Sequence, residues 1–73
     1  MRETRMKISA RNVFDGVVKE VKKGATTAHV TIDVKGITVT ASITNESVDD
    51  LGLTAGSKVK AVVKSSDVIV AID

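Results

Sequence analysis

The sequence predicts an all-β fold, a small five-stranded barrel with one short helix between its third and fourth strands. Three observations lead there. Apolar and polar residues alternate with the period of a half-buried strand over 26–34 and 37–43. Gly24 and Lys35-Gly36 interrupt the pattern at strand-length intervals. One stretch, TNESVDDLGL, abandons the period for a cap, a group of acids and a terminating Gly. With 73 residues the chain is a single domain close to the lower limit that one core can stabilise. It has no cysteine and one His, so neither disulfides nor a structural zinc site can reinforce it. Oligomerisation is the remaining device.

Taken in order, residues 1–5, MRETR, carry no apolar pattern and read as a frayed tail, with Met6 an alternative start and 6–73 the folded domain. Residues 16–23, GVVKEVKK, make a less regular strand that ends at Gly24. In 26–34, TTAHVTIDV, the residues Ala28, Val30, Ile32 and Val34 face inward, while Thr27, His29, Thr31 and Asp33 face out. Lys35-Gly36 reads as a tight hairpin turn, because Gly supplies positive φ. Residues 37–43, ITVTASI, place Ile37, Val39, Ala41 and Ile43 inward. The helix follows, about two turns long, with Thr44 or Asn45 as its N-cap and Gly52 as its stop. SKVKAVVKS and DVIVAID, split by a turn at Ser65, Ser66 and Asp67, form a closing hairpin. Both carry apolar residues on two faces: Val59, Ala61 and Val63 oppose Val62, and Val68, Val70 and Ile72 oppose Ile69 and Ala71. A strand buried on both sides in so small a protein needs cover from outside its own barrel, and another subunit supplies it. Five strands and one helix in this order describe a barrel of the OB-like type.

Eleven Lys and Arg against nine Asp and Glu leave a net charge of +2, too small to imply a polyanionic partner. The distribution says more. Arg2, Arg5, Lys7 and Arg11 crowd the first residues, with Lys19, Lys22 and Lys23 close behind, whereas acids gather at Glu46, Asp49 and Asp50. Phe14 is the one aromatic residue, which argues against a platform for stacking nucleic-acid bases. MRETRMKIS has charge without an apolar core and reads as no signal peptide, and no apolar run approaches the length of a membrane span. The missing cysteines fit a cytoplasmic protein. His29 lies mid-strand on a polar face, an exposed or interface position rather than a general base. Asp49-Asp50 is explained by the helix dipole, and KKGATT has one Gly where a phosphate loop needs several. No enzyme is indicated.

What remains is a set of hydrogen-bond donors suited to anions. Arg11 offers a planar fork of N–H groups, Ser9 a hydroxyl, and Ala10 and Asn12 backbone N–H groups, all within four residues. Lys64 and Ser65 repeat a cation followed by a hydroxyl, and Thr44 to Ser47 adds hydroxyls at a helix start. Each alone has an ordinary reading, as a surface charge, a turn residue or a cap.

KISARN, ITNESVDDLGL and VVKSSDVIVAID, running from about Met6 to Asp73, resemble the molbindins, small molybdate-binding proteins of the Mop or TOBE type. The resemblance implies an OB-like barrel and a homohexamer built as a trimer of dimers. It also implies molybdate or tungstate as bound ligand at subunit interfaces, with no organic cofactor and no directly ligated metal cation. Carried over by position, the main oxyanion site uses Ser9, Ala10, Arg11 and Asn12 with Lys64 and Ser65, and Thr44 and Ser47 contribute hydroxyls. A second oxyanion site, on the threefold axis, falls on Lys22, Lys23, Gly24 and Ala25. MRETR, with two further arginines, departs from the family, whose members begin just before the SARN tetrad. The function implied is cytoplasmic storage or buffering of the oxyanion, without nucleic acid or membrane as partner. In 73 residues the lack of a fused DNA-binding or ATPase domain favours storage over sensing. The competing readings are an OB module that binds nucleic acid and a regulatory or scaffolding domain stabilised by an oxyanion.

Overall fold

The computed structural model describes residues 9–73, so the expected tail over 1–5 and the domain start at Met6 lie outside the described residues. The elements run β1 (Asn12–Lys23), β2 (Thr27–Val34), β3 (Ile37–Thr44), α1 (Asn45–Leu51) and β4 (Lys58–Val63), followed by a 3-10 turn over Ser65–Asp67. The strands form one antiparallel sheet in the order β3-β2-β1-β4.

β2 and β3 follow the alternation closely. Ala28, Val30, Ile32 and Val34 are buried on one face, and Val39, Ala41 and Ile43 pack against them half-buried. Ile37, expected inward, is exposed, because it lies at the free edge of the sheet beside the turn. That turn uses two residues of positive φ, Lys35 at 51° and Gly36 at 90°, and the Asp33 carboxylate accepts the Gly36 N–H at 3.1 Å. Two positive φ values match the twist of a two-residue hairpin.

β1 begins four residues before the expected strand, at Asn12, because residues 12–17 pair with 58–63 of β4. Its irregular pattern has a specific cause. The register against β2 slips between Val18 and Glu20, a bulge that brings Val18 and Val21, three residues apart, onto the same inner face. Gly16 sits on that face too, where an added Cβ would lie 2.6 Å from Ile32 Cγ2 and 2.9 Å from the Asp33 carbonyl oxygen. On the opposite face Lys60 pairs with Asp15 at 2.5 Å across the β1–β4 ladder. Its hydrogen bond and charge hold the Asp15 carboxyl below the ordinary carboxylate value.

α1 forms where the sequence places it. Thr44 is the N-cap: its Oγ1 accepts the Ser47 N–H at 3.0 Å. Gly52 ends the helix at φ 64°, with its N–H on Asp49 O and the Leu53 N–H on Val48 O, a Schellman closure. Val48, 3% exposed, turns into the core with Val18, Ala28, Val30, Ile32, Val34 and Ala61.

Among the described residues the fifth strand expected over 67–73 is not formed, and no described strand closes the barrel between β3 and β4. The Asp67 N–H bonds to Lys64 O and the Val68 N–H to Ser65 O, and after this turn the chain does not return along β4. Ile69 and Ile72 are 91% and 93% exposed. Alternation gives these residues a strand's side chains, but a strand also needs a ladder partner, and the described residues provide none.

Candidate functional site

The eight residues expected in the main site fall into two groups. Ser9, Ala10 and Arg11 lead into β1, and Asn12 opens it opposite Val63, the last residue of β4. The Asn12 side-chain amide donates to Val63 O at 3.3 Å and ties the two strand ends together. Arg11 and Lys64 are therefore the residues just beyond this terminal pair, and Ser65 follows Lys64 at the start of the 3-10 turn. Arg11, Lys64 and Ser65 are all exposed. The ion pairs among the described residues are Lys23–Asp49 and Lys60–Asp15, which leaves the Arg11 guanidinium and the Lys64 ammonium unpaired among them. The β1–β4 ladder, which pairs Asn12 with Val63 at a sequence separation of 51, thus brings the Ser9–Asn12 tetrad and the Lys64-Ser65 pair to the same end of the sheet.

Thr44 and Ser47 lie at the other end of the sheet. Thr44 pairs with Thr27, and Ala28 pairs with Lys23 at the far end of β1. β1 has 12 residues, a contour of roughly 36 Å at about 3.3 Å per residue, between the two groups. One chain cannot close both around a single ion.

At this second end the hydroxyls form a short relay. Thr44 Oγ1 donates to Ser47 Oγ at 2.9 Å while accepting the Ser47 N–H at 3.0 Å. The loop expected to carry the second site packs against the same place. Asn45 donates from its N–H to Thr26 O at 2.8 Å and from Nδ2 to Gly24 O at 3.0 Å. Gly24 N–H is spent on Thr27 O at 2.7 Å, and Lys23 Nζ reaches Asp49 at 2.6 Å. Lys22, Lys23 and Gly24 line a cavity of about 360 Å³ together with Thr27 and His29, while Ala25 is not part of the lining. Sequence reasoning passed over Thr27 and His29 as strand residues. Strand pairing, which sets Lys22 directly across from His29, is the signal that brings them in.

The arrangement is therefore two exposed clusters of donors at opposite ends of one sheet. The TOBE domain family model matches residues 8–70. The chain belongs to the TOBE-domain family, in its molbindin or Mop branch. "Molybdenum-pterin-binding protein 3" of Clostridium pasteurianum is 46% identical over 66 residues, covering 89% of this chain and 97% of that protein. "Molybdenum transport protein ModE" of Herbaspirillum seropedicae is 41% identical over 66 residues, but these are only 24% of its length. The Mop fold is equally clear in solved structures. A molybdate-binding protein from Sporomusa ovata superposes with a TM-score of 0.88 at 45% identity, over 92% of this chain and all of the other. The cytoplasmic molybdate-binding protein ModG, with molybdate bound, gives 0.84 at 42% identity, over 88% of this chain and 46% of ModG. A molbindin-type OB-like fold thus holds here, with four strands paired among the described residues.

Proposed function

We propose that this molbindin is a binding protein, without a catalytic step, that stores or buffers molybdate and tungstate in the cytoplasm. The observation that carries the reading is the split donor set. Ser9, Ala10, Arg11 and Asn12 lie with Lys64 and Ser65 at the Asn12–Val63 end of the β1–β4 pair, and Thr44 with Ser47 lies at the other end of the sheet. A closed pocket for one ion then takes one end from each of two chains. Assembly as a homohexamer, a trimer of dimers, supplies such interfaces, and the exposed apolar tail from Val68 to Ile72 is surface that assembly would cover. Ligand held only between subunits stabilises the oligomer by mass action.

The chemistry of the cluster selects the ion class. A tetrahedral dianion has acceptor oxygens only, so a pocket of guanidinium, ammonium, hydroxyl and backbone N–H groups satisfies it completely. Hydrogen phosphate brings a proton that such a pocket leaves without an acceptor, at about 1–3 kcal/mol. Sulfate has the charge but is smaller, and tungstate nearly matches molybdate in size. Relatives named for molybdenum-pterin raise a pterin as ligand. A ring of that kind wants an aromatic face, and Phe14, the one aromatic residue, is half-exposed on the sheet. The bare oxyanion fits the donors better. Relatives matched over 97% of their length have this domain as essentially their whole chain, which favours a free-standing store over a sensor or transporter subunit.

Native mass spectrometry with molybdate, tungstate, sulfate or phosphate tests the proposal. A hexamer that gains several molybdate or tungstate ions and ignores the other two supports it. Arg11→Ala and Lys64→Ala should lose the ions while remaining folded oligomers. Full retention by both variants would sink the site assignment, and a monomer indifferent to all four anions would sink the function.

A further inference from the structure

A cavity of about 520 Å³ opens on the sheet where β1 changes partners. β1 pairs with β4 over 12–17 and with β2 over 17–23, so Val17 has a partner on each side, Lys58 and Asp33. Gly16, Val17 and Val59 give the cavity an apolar floor, and Val17 is 41% exposed in the middle of the sheet. Its rim is charged, with Asp15, Asp33, Lys35, Lys58 and Lys60. Both carboxylates are already engaged, Asp15 by Lys60 at 2.5 Å and Asp33 by the Gly36 N–H at 3.1 Å. Lys35 and Lys58 take part in no ion pair or side-chain hydrogen bond among the described residues. The hydrogen bond and charge of Lys60 hold the Asp15 carboxyl low, and the charge of Lys35 adds to them, which places the Lys35 ammonium over the groove. Lys35 does this from φ 51°, a left-handed conformation that Gly, Asn or Asp adopts with less strain. Residues held in such conformations cluster at ligand-binding positions.

We propose that this groove binds a small organic anion with a short apolar body, its acidic group held by Lys35 and Lys58 and its apolar part laid over Val17 and Val59. The volume falls within the range of small-molecule sites, about 300–1,000 Å³. Charge selects the sign of the ligand, because the free groups of the rim are cations and a ligand ammonium would find both carboxylates taken. The floor selects its shape. A bare metal oxyanion has no apolar part to cover Val17, and the lining holds no Ser or Thr hydroxyl of the kind found in the Ser9–Asn12 and Thr44–Ser47 clusters. Removing the exposed surface of Val17 and the ligand's own carbons from water supplies most of the attraction, and the two exposed ammoniums orient the acid. The site is therefore separate from the oxyanion clusters in both position and chemistry.

NMR spectra of the full chain titrated with octanoate test the site, with octylammonium as the control for charge and acetate as the control for the apolar body. Octanoate should shift the amide of Gly16 and the methyl groups of Val17 and Val59 in a saturable way, and octylammonium should not. Acetate should bind more weakly by about tenfold or more, since it lacks the methylenes that cover the floor. Lys35→Gln and Lys58→Gln should each weaken octanoate by about two- to fivefold, the worth of one exposed charge contact, and leave molybdate uptake unchanged. Octanoate that leaves these resonances unmoved overturns the site, as does equal binding of octylammonium or of acetate, or full affinity in both variants. Loss of molybdate uptake in either variant overturns the separation of this groove from the oxyanion clusters. The proposal does not rest on the oxyanion, so octanoate bound in this way by a chain that takes up no molybdate still supports it.

Discussion

Replacing Gly16 by Ala tests the packing on which both ends of the sheet depend. Gly16 sits mid-sheet on the inner face of β1, paired with Val59 of β4, and β2 presses close against it. Its φ is not positive, so the substitution strains nothing locally and the effect is purely steric. The new methyl would meet Ile32 Cγ2 at 2.6 Å, the Asp33 carbonyl oxygen at 2.9 Å and Val34 Cγ2 at 3.1 Å. Ile32 and Val34 are buried core residues, and the Asp33 oxygen is backbone in the strand paired with β1, so none of the three can swing away. Overpacking of this kind costs about 1–3 kcal/mol, and a backbone neighbour puts Gly16 in the upper half of that range. Reduced entropy of the unfolded chain returns about 0.4–1 kcal/mol. The net loss of about 1–2.6 kcal/mol corresponds to roughly 4–21 °C in a domain of this size. Thermal melting followed by circular dichroism measures it, at one fixed protein concentration because an oligomer's midpoint depends on concentration. A midpoint unchanged or raised would refute the close approach of β1 and β2 at this point.

Thr44→Ala removes the oxygen that accepts the Ser47 N–H, and should lower stability by about 1 kcal/mol. Ser47→Ala keeps that cap, so its stability should stay within about 0.5 kcal/mol of the parent while molybdate uptake falls. Equal destabilisation of the two variants in denaturant titrations would contradict the capping geometry. Removal of residues 68–73 takes away little that the protomer buries, since Ile69 and Ile72 are almost fully exposed. The shortened chain should keep its β-sheet spectrum and elute as a smaller species in size-exclusion chromatography. An intact hexamer after truncation would show that the tail has no part in assembly.

Where local chemistry decides structure, the sequence was legible. Strict alternation from Ala28 to Val34 and from Val39 to Ile43 sets which face of β2 and β3 is buried, because side-chain direction in a strand follows its two-residue period. Thr44 and Gly52 bound α1 through bonds to residues three to five positions away, so they too can be read from neighbours. Asn12 was legible as a donor, but residues 12–15 were not legible as strand, since NVFD has no alternation and owes its conformation to partners in β4 some 45 to 51 residues on.

By itself, then, the sequence determined an all-β domain, its central hairpin, its capped helix and the kinds of group offered to a ligand. Tertiary structure alone decided where those groups meet. Long-range pairing of Asn12 with Val63 brought Arg11 and Lys64 to the same end of the sheet, carried Thr44 and Ser47 to the opposite end, and set His29 against Lys22. Among the described residues it also leaves the tail, whose strand-like pattern had predicted a fifth strand, without a ladder partner. The physical reason is the same in each case. Side-chain period and capping are properties of a few adjacent residues, whereas a ladder is a choice of partner, made by register and core packing across the whole chain.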